Sequence, residues 1–76
     1  MGGHGTYYQL MIRKNEQVLY ATHAQGGFMS AKQMAPIFLP HHFLTKETAE
    51  RCWRNWANRH PAYAADCIHV VVEAEA

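Results

Sequence analysis

Residues 6–23 alternate between apolar and polar side chains with the period of a β-strand. The segment TYYQLMIRKNEQVLYATH contains two such runs, and Asn15 between them tolerates a left-handed turn position. A turn at residues 15–16 gives three pairs on one largely apolar face: Ile12 with Leu19, Leu10 with Ala21, and Tyr8 with His23. The opposite face then carries Tyr7, Gln9, Met11, Arg13, Val18, Tyr20 and Thr22. The pattern therefore predicts a β-hairpin with two distinct faces.

Apolar residues recur at helical spacing between Thr45 and His60. The positions that follow i, i+3, i+4, i+7, i+8 and i+11 are Ala49, Cys52, Trp53, Trp56, Ala57 and His60. Thr45 is a favourable N-cap, Glu47 suits the positive end of the helix dipole, and Pro61 ends the helix. This pattern predicts a one-sided amphipathic helix whose two tryptophans belong to the core.

The end of the chain, DCIHVVVEAEA, predicts a strand, because β-branched residues fill most of residues 68–72. Residues 24–44 are less regular. We interpret Gly26-Gly27 as the end of the second strand, and Ser30 with Gln33 as the capping box of a short helix that Pro36 stops. PIFLP, residues 36–40, is interpreted as a short edge strand, where proline is tolerated.

These elements predict an α+β fold. A small antiparallel sheet is built from the β-hairpin, the C-terminal strand beside the first strand, and a short extra edge strand. One long amphipathic helix covers one face of this sheet. The length of 76 residues suits a single domain, predicted over residues 6–76. The Gly-rich residues 1–5 are excluded as disordered or artificial.

Composition and charge limit the classes of function. The chain is 49% hydrophobic and 17% charged, as in globular proteins, and its net charge of +1 gives no electrostatic argument for DNA binding. We find neither a secretory signal nor a membrane-spanning pattern. We therefore expect a cytoplasmic protein with no membrane partner, in which Cys52 and Cys67 are reduced.

The residues that could bind a metal are His41, His42, Cys67 and His69, with Cys52. Their spacing lacks the paired ligands of zinc fingers. Cys52 lies on the predicted buried stripe, where the pKa of a thiol rises, and no carboxylates converge for acid-base catalysis. We therefore expect no metal, no cofactor, no catalytic residues and no enzymatic activity.

The outer face of the hairpin is the strongest candidate for a binding surface. Tyr7, Met11, Val18 and Tyr20, with Val71 added from the last strand, form an apolar and aromatic patch unless residues 28–39 fold across it. We expect a protein-binding module that occupies a surface of a larger partner or pairs with itself as a homodimer. Its contact residues are predicted to be Tyr7, Met11, Arg13, Tyr20, Arg51 and Arg54. Small phage and mobile-element inhibitors of host machinery, including anti-CRISPR proteins, are similar to this chain in size and architecture alone.

The alternative is a single-stranded nucleic-acid binder. Tyr7 and Tyr20 would stack on bases, and Arg13, Lys14, Arg51 and Arg54 would contact phosphates. The balanced charge and the absence of an RNP1-like pattern count against this alternative.

Overall fold

The structure, a computed structural model, describes residues 5–34 and 38–75. Its elements in chain order are β1 (Thr6–Lys14), β2 (Gln17–His23), β3 (Gly26–Ser30), α1 (Ala31–Met34), α2 (Lys46–Arg59), α3 (Pro61–Ala64) and β4 (Cys67–Glu75). The strands form one antiparallel sheet in the order β3-β2-β1-β4, and α2 packs on one of its faces. The predicted α+β fold is therefore confirmed.

The β1–β2 hairpin has the predicted turn and register. Asn15 occupies the left-handed region with φ of 57°, and Ile12 pairs with Leu19. On the other side of β1, strand β4 pairs with it over nine residues, from Thr6 opposite Glu75 onward. The predicted position of the last strand beside the first is confirmed.

The ladder between β1 and β2 ends at the pair Met11–Tyr20. The further pairs predicted from the sequence, Leu10 with Ala21 and Tyr8 with His23, do not form. Tyr8 instead exchanges backbone hydrogen bonds of 2.8 and 2.7 Å with Phe43. The carbonyl of Ala21 accepts a 2.8 Å bond from the N–H of His41. Residues 41–43 thus lie between the far ends of β1 and β2, because they satisfy both backbones and bring the Phe43 ring into the core.

The middle of the chain corrects one prediction and confirms another. Gly26 and Gly27 begin β3 rather than end β2, because both adopt positive φ values, 121° and 61°, that suit glycine after a tight turn. The extra edge strand is therefore residues 26–30. The predicted strand at residues 36–40 is wrong for residues 38–40, which form no strand, while residues 36–37 lie outside the described residues.

The predicted capping box of α1 is present. The N–H of Ser30 donates to Oε1 of Gln33 at 2.9 Å, and the N–H of Gln33 donates to Oγ of Ser30 at 3.2 Å. The proposed stop at Pro36 lies outside the described residues. Helix α2 begins as predicted at the N-cap Thr45, whose Oγ1 accepts a 3.1 Å bond from the N–H of Thr48.

The buried stripe of α2 weakens toward its end. Ala49, Cys52 and Trp53 are buried, and Trp56 and Ala57 are half-buried. His60 is exposed, contrary to prediction, because it is the C-cap residue where the chain leaves α2. Pro61 ends α2 as predicted, and it also starts the single turn of α3.

The core lies between α2 and the inner face of the sheet. Its buried members are Leu10, Ile12, Leu19, Ala21, Phe43, Ala49, Cys52 and Trp53. The ring of Phe28 on β3 meets Trp53 and Trp56 edge-on, with centroids 6.0 and 5.1 Å apart. This places both tryptophans against the sheet, as predicted. Within the described part of the chain, no helix has the length and apolarity needed to cross a bilayer.

Candidate functional site

The outer face of the sheet, opposite α2, carries an open apolar concavity near the β1–β2 turn. We call it the outer groove; it has a volume of about 440 Å³ and is lined by Met11, Ile12, Arg13, Glu16, Val18, Ile68 and Val70. Strands β2, β1 and β4 build it mainly from side chains that alternate to the face without a helix. Ile12 borders the groove although its side chain is buried in the core. A three-strand platform holds these side chains at fixed spacing.

Three apolar residues of the outer groove are exposed to solvent. Ile68 is 67% exposed, Val70 45% and Val18 41%. Arg13 pairs with Val18 on one side and with Ile68 on the other, so this arginine lies between two aliphatic residues in a row across three strands. Large exposed aliphatic side chains next to an arginine are typical of protein-contact surfaces.

Val71 does not belong to this surface, which corrects the prediction. It pairs with Leu10 and packs against the core, so it faces α2. The outer residues of β4 are Ile68, Val70 and Val72, because β4 alternates in step with β1.

The structure separates the predicted contact residues into three places. Met11 and Arg13 line the outer groove, and Tyr20 is half-buried directly opposite Met11. Tyr7 lies at the other end of β1, where its ring stacks on His42 with centroids 3.8 Å apart. Tyr7 is thus outside the groove.

Arg51 and Arg54 lie on the exposed side of α2, which faces away from the sheet. There they line a second concavity, of about 410 Å³, together with Lys46, Glu47 and Glu50. The two arginines and the outer groove are therefore on opposite sides of the molecule and cannot contact one flat partner surface together.

The same separation counts against the nucleic-acid alternative. Tyr7 and Tyr20 are on the outer face, whereas Arg51 and Arg54 are beyond α2. Lys14 projects to the inner side, with its Nζ 3.5 Å from Asp66 and 4.6 Å from the centre of the Tyr63 ring. Of the predicted phosphate contacts, Arg13 alone shares a face with the two tyrosines.

A third concavity, of about 490 Å³, lies between α2 and residues 41–44, and sequence reasoning missed it. Its lining residues are Ala24, His41, His42, Phe43, Leu44, Thr48, Arg51, Cys52 and Asn55. Leu44 is 81% exposed at its rim. Burial, with smaller contributions from His42 and His23, lowers the pKa of His41. The apolar pair Phe43-Leu44 before the N-cap was the available signal.

The candidate metal ligands have other contacts. His41 meets the Phe43 ring edge-on at 4.6 Å, and His42 stacks on Tyr7. Nε2 of His69 lies 2.8 Å from Oε1 of Glu50, and its ring stacks on Trp53 at 5.3 Å. Across residues 5–34 and 38–75, no three potential metal donors cluster.

Both cysteines are free thiols of low reactivity. Burial raises the pKa of Cys52, partly offset by Arg59, and burial also raises the pKa of Cys67. Sγ of Cys67 lies 3.2 Å from the carbonyl oxygen of Tyr63, to which it donates. A raised pKa keeps a thiol protonated at neutral pH. Because the thiolate is the nucleophilic form, such a thiol reacts slowly.

Comparison of the chain with protein-family models, with curated proteins and with solved structures gave no match.

Proposed function

We propose that this chain is a non-enzymatic protein-binding module that docks a larger protein through the outer groove. The observation that carries the proposal is the row Val18–Arg13–Ile68, which crosses three strands with both aliphatic side chains exposed. A small domain gains stability by burying such residues, so leaving them in water favours a role in binding.

The groove indicates the chemistry of its partner. Apolar side chains from the partner would replace water over Met11, Val18 and Val70. An acidic group beside them would pair with Arg13, while Glu16 at the rim would repel a misplaced carboxylate. The expected ligand is an apolar protein surface with an acidic residue near its centre.

The wider expectation is a cytoplasmic inhibitor from a phage or mobile element that acts on host machinery, as anti-CRISPR proteins do. Its support is the size and architecture of the chain. Inhibition by occupying a surface needs no catalytic residues.

The test places carboxylates in the groove without disturbing the fold. In the double variant Val18→Glu/Ile68→Glu, each new glutamate lies opposite Arg13, so cross-strand pairing compensates the added charges. Proteins captured by the wild type from lysate, with and without nuclease treatment, are identified, and those captured in both are purified and titrated calorimetrically against the wild type and the double variant. We expect binding by the double variant to fall at least about a hundredfold, since charge in an apolar contact is strongly unfavourable.

The control is Gln25→Glu/Asn58→Glu, which adds two negative charges at exposed positions outside the groove. This control should bind like the wild type and show the same melting temperature. Equal loss of binding in both variants, or unchanged binding by the groove variant, would contradict the proposal. Capture that requires nucleic acid and weakens steeply with salt would favour the nucleic-acid alternative instead.

A further inference from the structure

Strand β4 is an unusually open edge of the sheet. It is nine residues long, stands last in the strand order, and has no further strand beside it within the described residues. Natural edge strands are usually short or interrupted by proline, lysine or a bulge, which prevents pairing with another chain. The sequence CIHVVVEAE has no proline or lysine, and its two glutamates, Glu73 and Glu75, lie within its last three positions. Most of this edge is therefore open to pairing with another strand.

The backbone groups that face this edge can be identified. Tyr8 exchanges its hydrogen bonds with Phe43, on the side of β1 that faces away from β4. Because these groups alternate along a strand, residues 7, 9, 11 and 13 of β1 point toward β4, where their partners are residues 74, 72, 70 and 68. The N–H and C=O groups of residues 67, 69, 71, 73 and 75 therefore point to the free edge.

The opposite edge of the sheet differs. Strand β3 has five residues, begins with two glycines at positive φ, and ends at Ser30, whose N–H and side chain are engaged in the capping box of α1. A partner strand could form few bonds there. The two edges of one sheet are thus unequal, and β4 alone offers a long regular ladder.

We propose that two copies of this chain associate through β4, paired antiparallel with Val71 opposite Val71 of the second copy. This register joins all nine residues of the strand and uses every backbone group that faces the edge. It places His69 opposite Glu73 and Cys67 opposite Glu75 of the other copy, each twice by symmetry, so that no two carboxylates face each other across the seam. On the outer face, Val70 meets Val72 and Ile68 meets Ala74.

Other registers are less favourable. A register centred on residue 73 places Glu73 opposite Glu73 of the other copy. A register centred on residue 69 places His69 opposite His69. Each of these registers also shortens the ladder. Centring the pairing on residue 70 or 72 leaves Glu73 opposite Cys67 or Val71. The length of the ladder and the separation of the glutamates therefore favour the register centred on Val71.

The dimer goes beyond the proposed function, because it uses the edge of the sheet and leaves the groove residues of β1 and β2 free. It joins two four-stranded sheets into one of eight strands. The outer groove of each copy then lies on one continuous face, with Ile68 and Val70 near the seam. A bivalent partner-binding surface results.

The first test is the oligomeric state of the full chain, measured by analytical ultracentrifugation over a range of concentrations. The wild type should sediment at twice the chain mass at high concentration. Glu73→Pro should remain monomeric, because proline removes an N–H that faces the edge while the β1–β4 ladder stays intact. Glu73→Gln is the matched control: it loses the same charge, keeps the N–H, and should still dimerise.

The second test fixes the register and does not depend on a proline variant that folds. Chains carrying Val70→Cys and Val72→Cys are mixed and oxidised, since these positions form a close, non-hydrogen-bonded pair suited to a disulfide. We expect a 70–72 linked heterodimer by mass spectrometry and little 70–70 product from Val70→Cys alone. A predominant 70–70 link overturns the register.

Two results overturn the dimer itself: a wild type that stays monomeric at all concentrations, or a folded Glu73→Pro variant that dimerises like the wild type. Loss of the dimer in Val18→Glu, with Glu73→Pro unaffected, would move self-association to the outer groove. Partner binding by a monomeric Glu73→Pro variant keeps the two proposals separate, because the groove is complete in a single copy.

Discussion

The two faces of the sheet carry similar side chains but differ in how far those side chains are exposed to solvent. Ile12 on the inner face is fully buried, whereas Ile68, which pairs with the next residue of β1, Arg13, lies on the outer face and is 67% exposed. Strand geometry places them on alternate sides, and α2 covers one side only. Burial in this protein thus depends on the position of α2: apolar side chains beneath the helix form the core, and similar side chains on the other face stay in contact with solvent.

The largest effect is expected for Trp53→Ala. Trp53 is 8% exposed and contacts both Phe28 on β3 and His69 on β4, so it joins α2 to both edges of the sheet. Its removal should lower the free energy of unfolding by about 3–5 kcal/mol, measured by urea denaturation. Trp56→Ala, at a half-buried position, should cost less. A Trp53→Ala variant as stable as the wild type would mean that the inner face is not the core.

The comparison of faces is sharpest when one substitution is made on each. Ile12→Thr places a hydroxyl in the core and should cost about 2–4 kcal/mol. Ile68→Thr makes the same chemical change in water and should stay within about 0.5 kcal/mol. Both are measured by thermal and chemical denaturation. Equal costs would show that the outer face is covered too.

A smaller effect is expected at Gly26, where β3 begins beneath α2. Its φ of 121° is unfavourable for other residues, and a Cβ there would lie 2.6 Å from the Trp56 ring. Gly26→Ala should therefore cost about 1–3 kcal/mol. In a Trp56→Ala background the steric part should disappear, which a double-mutant cycle can measure. If the cost is the same in both backgrounds, the indole is not the cause and only the backbone strain remains.

The smallest effect is a pH dependence from His41. Burial lowers its pKa, so the unfolded chain binds more protons below about pH 6.5. The free energy of unfolding should therefore fall as the pH drops from about 6.5 toward the folded-state pKa of His41, and this contribution should vanish above pH 6.5. In His41→Gln the decrease should be shallower, as judged by melting temperature from pH 7 to 5. His60→Gln, at an exposed position that does not contribute to the shift of the His41 pKa, is the control; equal slopes for wild type and His41→Gln would contradict the assignment.

The sequence predicted the elements whose signals are local. Asn15 marked the turn, and the register from Ile12 to Leu19 followed from it. Thr45 and the spacing of the tryptophans marked α2. These features depend on residues a few positions apart, where backbone preference and side-chain periodicity are strong.

The errors fall where distant residues decide the structure. The insertion of residues 41–43 depends on Tyr8 and Ala21, which lie far away in the chain. Val71 was assigned to the wrong face because the apolar run HVVV has no alternation, so its orientation is set only by pairing with β1. The three-way separation of Tyr7, Met11 and Arg51 could not be predicted for the same reason.

The position of β1 between β2 and β4 has a consequence for the order of folding. The hairpin closes over a two-residue turn, whereas Thr6 finds Glu75 only after a loop of nearly the whole chain has closed. Closing such a loop costs entropy before its contacts repay it, and a two-stranded hairpin alone is marginal in water. A nascent chain emerging from the ribosome therefore holds β1 paired on one side only until residues 67–75 appear. We expect the pairing of β4 with β1 to limit the rate of folding, because its contacts join residues far apart in the chain.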